Sequence, residues 1–208
     1  MRPIVVTVAP VVDQDGIALS QTTGGAGDLT LDGTFVTAGV ATLAAAQQVT
    51  LFSAGNISTV NFLIIGTDEN GNAVNETILG PNATTVQTSV YFTTVTQITV
   101  DAAVASAVEV GSAEQTTSPI LPVNWREHNF AMSLSVELSA GATVNYTVQF
   151  TVDDVQTNGA PFWFDTSNLI SLTVSESGNV VVPVCAVRLI FNSFNAGTAK
   201  FTAKQGGN

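Results

Sequence analysis

The chain has 208 residues, 45% of them hydrophobic, and a formal net charge of −11 from five Lys and Arg against sixteen Asp and Glu. That length holds one large β domain or two small ones. No Lys or Arg lies between Arg2 and Arg126, so the chain lacks the cations that displace counterions from a phosphate backbone; nucleic acid is excluded as a partner, and anionic membrane surfaces are disfavoured on the same ground.

Only 10% of residues are charged, against about 25% in an average domain. The surface must therefore be covered by Thr, Asn, Ser and Gln, and the many Thr and Val residues favour strands. The first run, MRPIVVTVAPVV, is apolar but broken by Pro3, Thr7 and Pro10. It reads as an arm able to extend and pair with a neighbour's strand edge, not as a secretory signal. No apolar run is long enough to span a bilayer. These features suit a protein made in a cytoplasm without export machinery.

The segment QTTGGAGDLTLDGT, Gln21 to Thr34, is rich in glycine but lacks the Gly-Lys-Ser/Thr ending of a phosphate loop. It is expected to be a flexible loop leading into a hairpin. AGVATLAAAQQ is the one stretch with helix-like composition, and its Gly39 and β-branched neighbours allow a strand equally well.

VNFLIIGTDENGNAVNETILG gathers Asp68, Asn70, Asn72, Asn75 and Glu76 between two apolar runs. With Asp68 as the first position of a calcium loop, Ala73 falls where glycine is needed and Leu79 where a bidentate Glu is needed. As a hairpin it works: Val60, Phe62 and Ile64 alternate inward, Asn70-Gly71 makes the bend, and Ala73 to Ile78 return.

VTQITVDA alternates in the same way, and GSAEQTTSPILPVNW then loses periodicity and holds two prolines. A boundary is expected there. The following NWREHNF contains His128, the only histidine. With no Gly-x-Ser-x-Gly elbow and a single cysteine, His128 has no partners for a hydrolytic triad or a zinc site. It is expected at an interface or surface, beside Trp125 and Arg126.

MSLSVELSA and VNYTVQFTVDD are further period-2 runs. In the second, Val144, Tyr146, Val148, Phe150 and Val152 share one face, and Asn145, Thr147, Gln149 and Thr151 share the other. Asp153-Asp154 follow as a solvated strand end, because neighbouring strand residues point to opposite faces and cannot flank one bond. PFWFD then clusters Phe162, Trp163 and Phe164. These three are either a core corner, a protein anchor or a sugar platform. LISLTVSES, NVVVPV and VRLIFNS read as the last strands, with Cys185 a buried, inert thiol among them. Asp32-Gly33, Asn70-Gly71, Asn158-Gly159 and Ser177-Gly178-Asn179 all favour positive φ and are expected turns.

The fold class that follows is all-β: an antiparallel sandwich, jelly-roll-like, with two sandwiches in tandem. A faint echo between VNFLIIGTDENG and VNYTVQFTVDDVQTNG fits such a pair. The expected divisions are an arm and flexible loop (1–26), a sandwich (27–114), a linker (115–124) and a second sandwich (125–208). Trp125, Arg126, His128, Phe162, Trp163 and Phe164 are the candidate partner contacts. No catalytic, cofactor or metal residues are expected.

ITVDAAVASAVEVGSAEQTTSPILPVNW resembles a strand pair and proline-bearing linker of tailed-bacteriophage virion structural proteins. VNYTVQFTVDDV, FWF, GNVVVPVCAVRLIF and GTAKFTAKQGG resemble the C-terminal module of the same proteins. The matching positions are Tyr146 to Val155, Trp163-Phe164, Pro183 to Leu189 and Gly197 to Gly207. The likeness runs from about Thr50 onward, and its motifs are structural. It implies a non-enzymatic virion protein: a capsid decoration or cement protein, or a head–tail or tail component. The implied partners are the major capsid protein or other virion proteins and further copies of the chain, as a dimer or trimer. A carbohydrate-binding or host-adhesion module built on Tyr146, Trp163 and Phe164 is the alternative of another class.

Overall fold

The computed structural model describes residues 3–126, 130–155 and 161–206. In chain order the strands are Ile4–Val8 (β1), Ala18–Thr23 (β2), Gly27–Asp28 (β3), Val36–Thr37 (β4), Val40–Asn56 (β5), Asn61–Thr67 (β6), Ala73–Leu79 (β7) and Asn82–Val100 (β8). They continue with Val104–Thr117 (β9), Leu121–Pro122 (β10), Met132–Leu138 (β11), Thr143–Thr151 (β12), Phe164–Asp165 (β13), Glu176–Val180 (β14), Ala186–Ala196 (β15) and Ala199–Gln205 (β16). The strand pairings are antiparallel, and the fold is all-β. Among the described residues no helix is long and apolar enough to cross a membrane.

The chain divides into two compact units, Pro10–Thr116 and a second made of Met1–Ala9 with Thr117–Asn208. These lines differ from the sequence-based ones. The 1–26 stretch is not one arm: β1 belongs with the C-terminal residues, and β2 pairs with β9 in the other unit. The expected linker at 115–124 is partly strand, because β9 runs on to Thr117 and Thr116, Thr117 and Ser118 are buried. Just past β9 the chain bonds β15 of its own unit, with Ser118 N donating to Leu189 O at 2.8 Å.

In the Pro10–Thr116 unit the strands run β9-β5-β8-β6-β7, with β2 on β9, β3 on β8 and β4 on β5. AGVATLAAAQQ lies mostly in β5 and is strand, as its β-branched residues allowed. β5 and β8 are long, with 17 and 19 residues, and their ladder shifts register between Thr42 and Gln47, Gln48 and Thr50, and Ser53 and Asn56. Such shifts bend strands. The inward side closes on one apolar cluster that includes Leu43, Leu51, Phe62, Ile64, Phe92 and Val108.

Where this ladder breaks, side chains take over its hydrogen bonds. Gln47 is fully buried; its Nε2 donates to Val11 O (3.0 Å) and Ala113 O (2.8 Å), and its Oε1 accepts from Val11 N (3.4 Å). Thr88 Oγ1 accepts from Val49 N and donates to Val90 O. Glu76, on edge strand β7, accepts from the backbone N–H groups of Ser89 and Val90.

The β6–β7 hairpin forms as the sequence indicated. Gly71 has φ of 80°, and Asp68 Oδ1 accepts from Asn70 N and Asn72 N, both at 2.8 Å. Two other expected turns are corrected. Gly33 has no positive φ among the described glycines; it lies against the backbone of Gly16, where a Cβ would collide. The nearby hairpin bends instead at Ala38-Gly39, with φ of 53° and 80°. Ser177-Gly178-Asn179 lies inside β14, where Gly178 gives room to Leu169. Asn158-Gly159, and the end of the second echo, fall outside the described residues.

The other unit has two sheets. One is β1-β16-β11-β14; in the other, β12 pairs β13 and β15, and β15 also pairs β10. Each turns an apolar face inward: Met132, Leu134, Val136 and Phe201 from the first, Tyr146, Val148, Leu189 and Phe191 from the second, all 2% exposed or less. Two sheets with one buried face each form a sandwich. The expected face of β12 holds for Val144, Tyr146 and Val148, while Val152 is exposed beyond the strand end and Thr147 and Thr151 on the other face are buried. LISLTVSES is strand only at its end, where Glu176 and Ser177 open β14; before that it forms a single bridge, Leu172 to Tyr146, and Val181 to Cys185 is irregular. Tyr146 OH donates to Val174 O at 2.9 Å, which ties this covering segment down.

Burial, and then the charge of Glu176, push the Tyr146 phenol up to about 12. The fold thus favours the neutral phenol. Its contribution is fully present below the ordinary value near 10 and is lost as pH rises towards 12. Alkaline titration of wild type should show this loss of stability between pH 10 and 12, and Tyr146→Phe should lack that component while costing about 1 kcal/mol at neutral pH. For the other unit, Gln47→Leu is expected to destabilise by about 2 kcal/mol in urea melts, because the Val11 and Ala113 backbone groups are left unpaired in the interior.

Candidate partner interface

β12 ends at Thr151, and its last turn of ladder carries the candidate site. β13 pairs with it in the register Gln149 to Asp165 and Phe150 to Phe164. The Phe150 ring stacks on Phe164 with centroids 5.6 Å apart, and Phe162 meets Phe164 edge-on at 4.9 Å. This geometry suits aromatic quadrupoles. Phe162 is 66% exposed and Phe164 44%. The core-corner reading of PFWFD therefore does not hold for these two rings.

Trp163 takes the opposite side, as strand alternation requires. It is half-buried, with the Arg188 guanidinium 4.2 Å from its ring centroid. Arg188 Nε donates to Gln149 Oε1 (2.9 Å), and Gln149 Nε2 donates to Asp165 Oδ1 (2.8 Å). One relay of contacts thus locks Trp163, Arg188, Gln149 and Asp165. Thr166 anchors the far end, its N and Oγ1 both donating to Val148 O.

Asp153 is not merely a solvated strand end. Its backbone N donates to Thr151 Oγ1, and its Oδ2 accepts from Phe162 N at 2.7 Å. The carboxylate that closes β12 also holds the start of the aromatic segment. Cys185 is half-buried rather than buried, and its Sγ donates to Val152 O at 3.1 Å. Desolvation, then the negative charges of Asp154 and Asp153, push its thiol pKa up. A thiol held protonated is a poor nucleophile.

Trp125 and Arg126 form a separate exposed pair, with the guanidinium 4.7 Å from the ring centroid. Their turn is pinned by Gln205, whose Oε1 accepts from Asn124 N and whose Nε2 donates to Asn124 O. Ring contacts among the described residues join Phe150, Phe162 and Phe164 to one another and Trp125 to Arg126, with none between the two groups. His128 lies outside the described residues. The member that sequence reasoning missed is Phe150. It sits on the face assigned to the core, and only its register with Phe164 puts it under the exposed cluster.

In the Pro10–Thr116 unit an open groove of about 480 Å³ is lined by polar side chains, with Gln14, Thr50, Gln87 and Ser112 among them. Gln14 already bonds Glu109, and Gln87 bonds Gln48. None of its lining residues carries a ring, so it offers no stacking platform for a sugar. Among the described residues no group of three or more His, Cys, Asp or Glu is placed to hold a metal ion.

No family model matches the chain, and no curated protein matches it. Among solved structures, the major capsid protein P2 from bacteriophage PM2 aligns with 13% identity over 83% of this chain and 93% of its own, at a TM-score of 0.21. A likeness that faint carries no argument about this chain.

The bond from Phe162 N to a charged carboxylate is worth about 1.5 kcal/mol or more. Asp153→Ala should therefore open the aromatic segment roughly tenfold more often. Chymotrypsin cutting at Phe162 to Phe164, followed by mass spectrometry at low enzyme, should accelerate by that factor with the rest of the chain unchanged.

Proposed function

We propose that this chain is a non-enzymatic structural protein of a tailed-phage virion that binds the outer surface of the capsid and stabilises the shell. The observation that carries the reading is the exposed pair Phe162 and Phe164, packed over the half-buried Phe150 and held by Asp153 inside the module whose sequence resembles virion proteins. Aromatic rings so placed are typical anchors at protein interfaces. The surrounding fold supplies rigidity, and the net charge of −11 suits a place outside the shell better than one against packaged DNA.

Stabilisation would follow from linkage. A protein that binds the assembled lattice and not the free subunits lowers the free energy of the shell by mass action, and a copy that bridges adjacent subunits adds avidity. A place at the head–tail joint or in the tail uses the same anchors, and differs in copy number: many per shell for a decoration protein, one small ring otherwise. The carbohydrate reading loses support, because Tyr146 is fully buried and Arg188 lies over the Trp163 ring.

The test is co-sedimentation of purified chain with shells of the phage that encodes it, prepared without the chain. Wild type should bind and raise the shell's melting temperature. Phe162→Ala with Phe164→Ala should weaken binding by at least about tenfold, as loss of a two-ring anchor implies. A wild-type chain that leaves the shells bare would end the reading.

A further inference from the structure

Every open sheet has edges, and proteins blunt them with charge, proline, bulges or short strands. Among the described edges here, β7 carries Glu76, β14 starts at Glu176, β3, β4, β10 and β13 are two residues long, and β2, though uncharged, pairs with β9 through two register shifts. β1 differs. Its sequence is IVVTV, it has no charge, proline or glycine, and it pairs with β16 over five residues without a register shift. No described strand pairs with its other side.

The burial of β1 shows the same incompleteness. Its inward residues Ile4, Val6 and Val8 lie opposite Ala203, Phe201 and Ala199, all of which are buried. Val8 is buried too, but Ile4 and Val6 are only half-buried. On the outer face Val5 is 51% exposed. Apolar residues on the inward side of a sheet remain half-exposed when nothing flanks them laterally.

We infer that β1 is the self-association surface of this protein, pairing antiparallel with β1 of a second copy across a two-fold axis at Val6. The axis sets Ile4 against the partner's Val8 and Val5 against the partner's Thr7, and joins two four-stranded sheets into one of eight. A second copy is the occupant the surface selects, for two reasons. The strand is self-complementary under this operation, which an isologous contact requires. The edge itself is also uncharged, so two copies of this acidic chain meet there without like-charge repulsion, and the neighbouring Lys200, opposite Thr7, is already ion-paired to Glu137 at 2.7 Å. The flanking Pro3 and Pro10 limit the contact to these five residues, because proline cannot extend the ladder.

This contact does not depend on the virion reading, and the isolated protein tests it. Sedimentation from about 1 to 100 µM, the range in which small interfaces assemble, should give a reversible dimer. Val5→Glu with Thr7→Glu puts like charges directly opposite across the axis and should raise the dissociation constant at least tenfold. Both side chains face outward, and an unchanged circular dichroism spectrum and urea midpoint would show the subunit intact. Phe162→Ala with Phe164→Ala should leave the dimer unaltered. A wild-type monomer at 100 µM, a dimer that survives the two glutamates, or one abolished by the two alanines would each overturn the assignment.

Discussion

Backbone hydrogen bonding at the places where strands bend or stop is the constraint on which this molecule depends. With all its regular structure in sheets, each interrupted ladder leaves N–H and C=O groups that must be satisfied away from water. The chain meets that demand with uncharged polar side chains. Gln47 joins the Val11 and Ala113 backbones, Thr88 spans the shift in the β5–β8 ladder, and Gln205 replaces a strand partner for Asn124. Where carboxylates appear, several serve the same end: Asp68 inside its turn, Glu76 on Ser89 and Val90, Asp101 on Asn61. A composition with one charged residue in ten is therefore consistent with the fold. Carboxamides and hydroxyls can enter a buried break in a sheet, whereas an unpaired charge there would cost several kcal/mol.

The candidate interface is built by the same rule. β12 stops at Thr151, and the hydroxyl and carboxylate of Thr151 and Asp153 take up the backbone groups that the ladder no longer reaches. The Asp153 carboxylate thereby holds Phe162, next to Phe164 in its pairing with Phe150. Arg188 and Gln149 then fix the opposite face through Trp163 and Asp165. The rings are exposed, yet each is held by a neighbour. Little conformational entropy remains to be lost when a partner covers them, which favours binding.

Much of this was legible from residue order. MSLSVEL and VNYTVQFT alternate cleanly because one side of each strand is core, and Asn70-Gly71 bends where it should because positive φ is needed at Gly71. The failures share a cause: the deciding contact was distant in the chain. Gly178 looks like a turn residue until Leu169 is seen to need its space, and Gly33 until Gly16 is found against it. The N-terminal run looks like a free arm until β16, nearly two hundred residues on, supplies its register. Phe150 was assigned to the core by its period, and only pairing with Phe164 shows where it lies. Local pattern reports which face of a strand is apolar. It does not report what lies against that face.

The two surfaces of the sandwich that holds residues 117–208 differ in the partner they accept. The aromatic segment is held by the Asp153 carboxylate, so two copies of it facing each other would bring like charges together. It suits a surface with an apolar socket and a basic rim, which this acidic chain does not itself provide. The β1 edge has the opposite character, with no charge of its own and, beside it, a lysine already paired with Glu137. The surfaces sit on different sheets, β13 in one and β1 in the other. Occupying one leaves the other available, and a dimer through β1 would carry two aromatic anchors, one on the second sheet of each sandwich. Two anchors at a fixed spacing bind a repeating lattice more tightly than either alone when the lattice repeat matches their separation. On the proposed reading, self-pairing by the uncharged β1 edge and partner-binding by the aromatic cluster held by Asp153 are two parts of one bridging device.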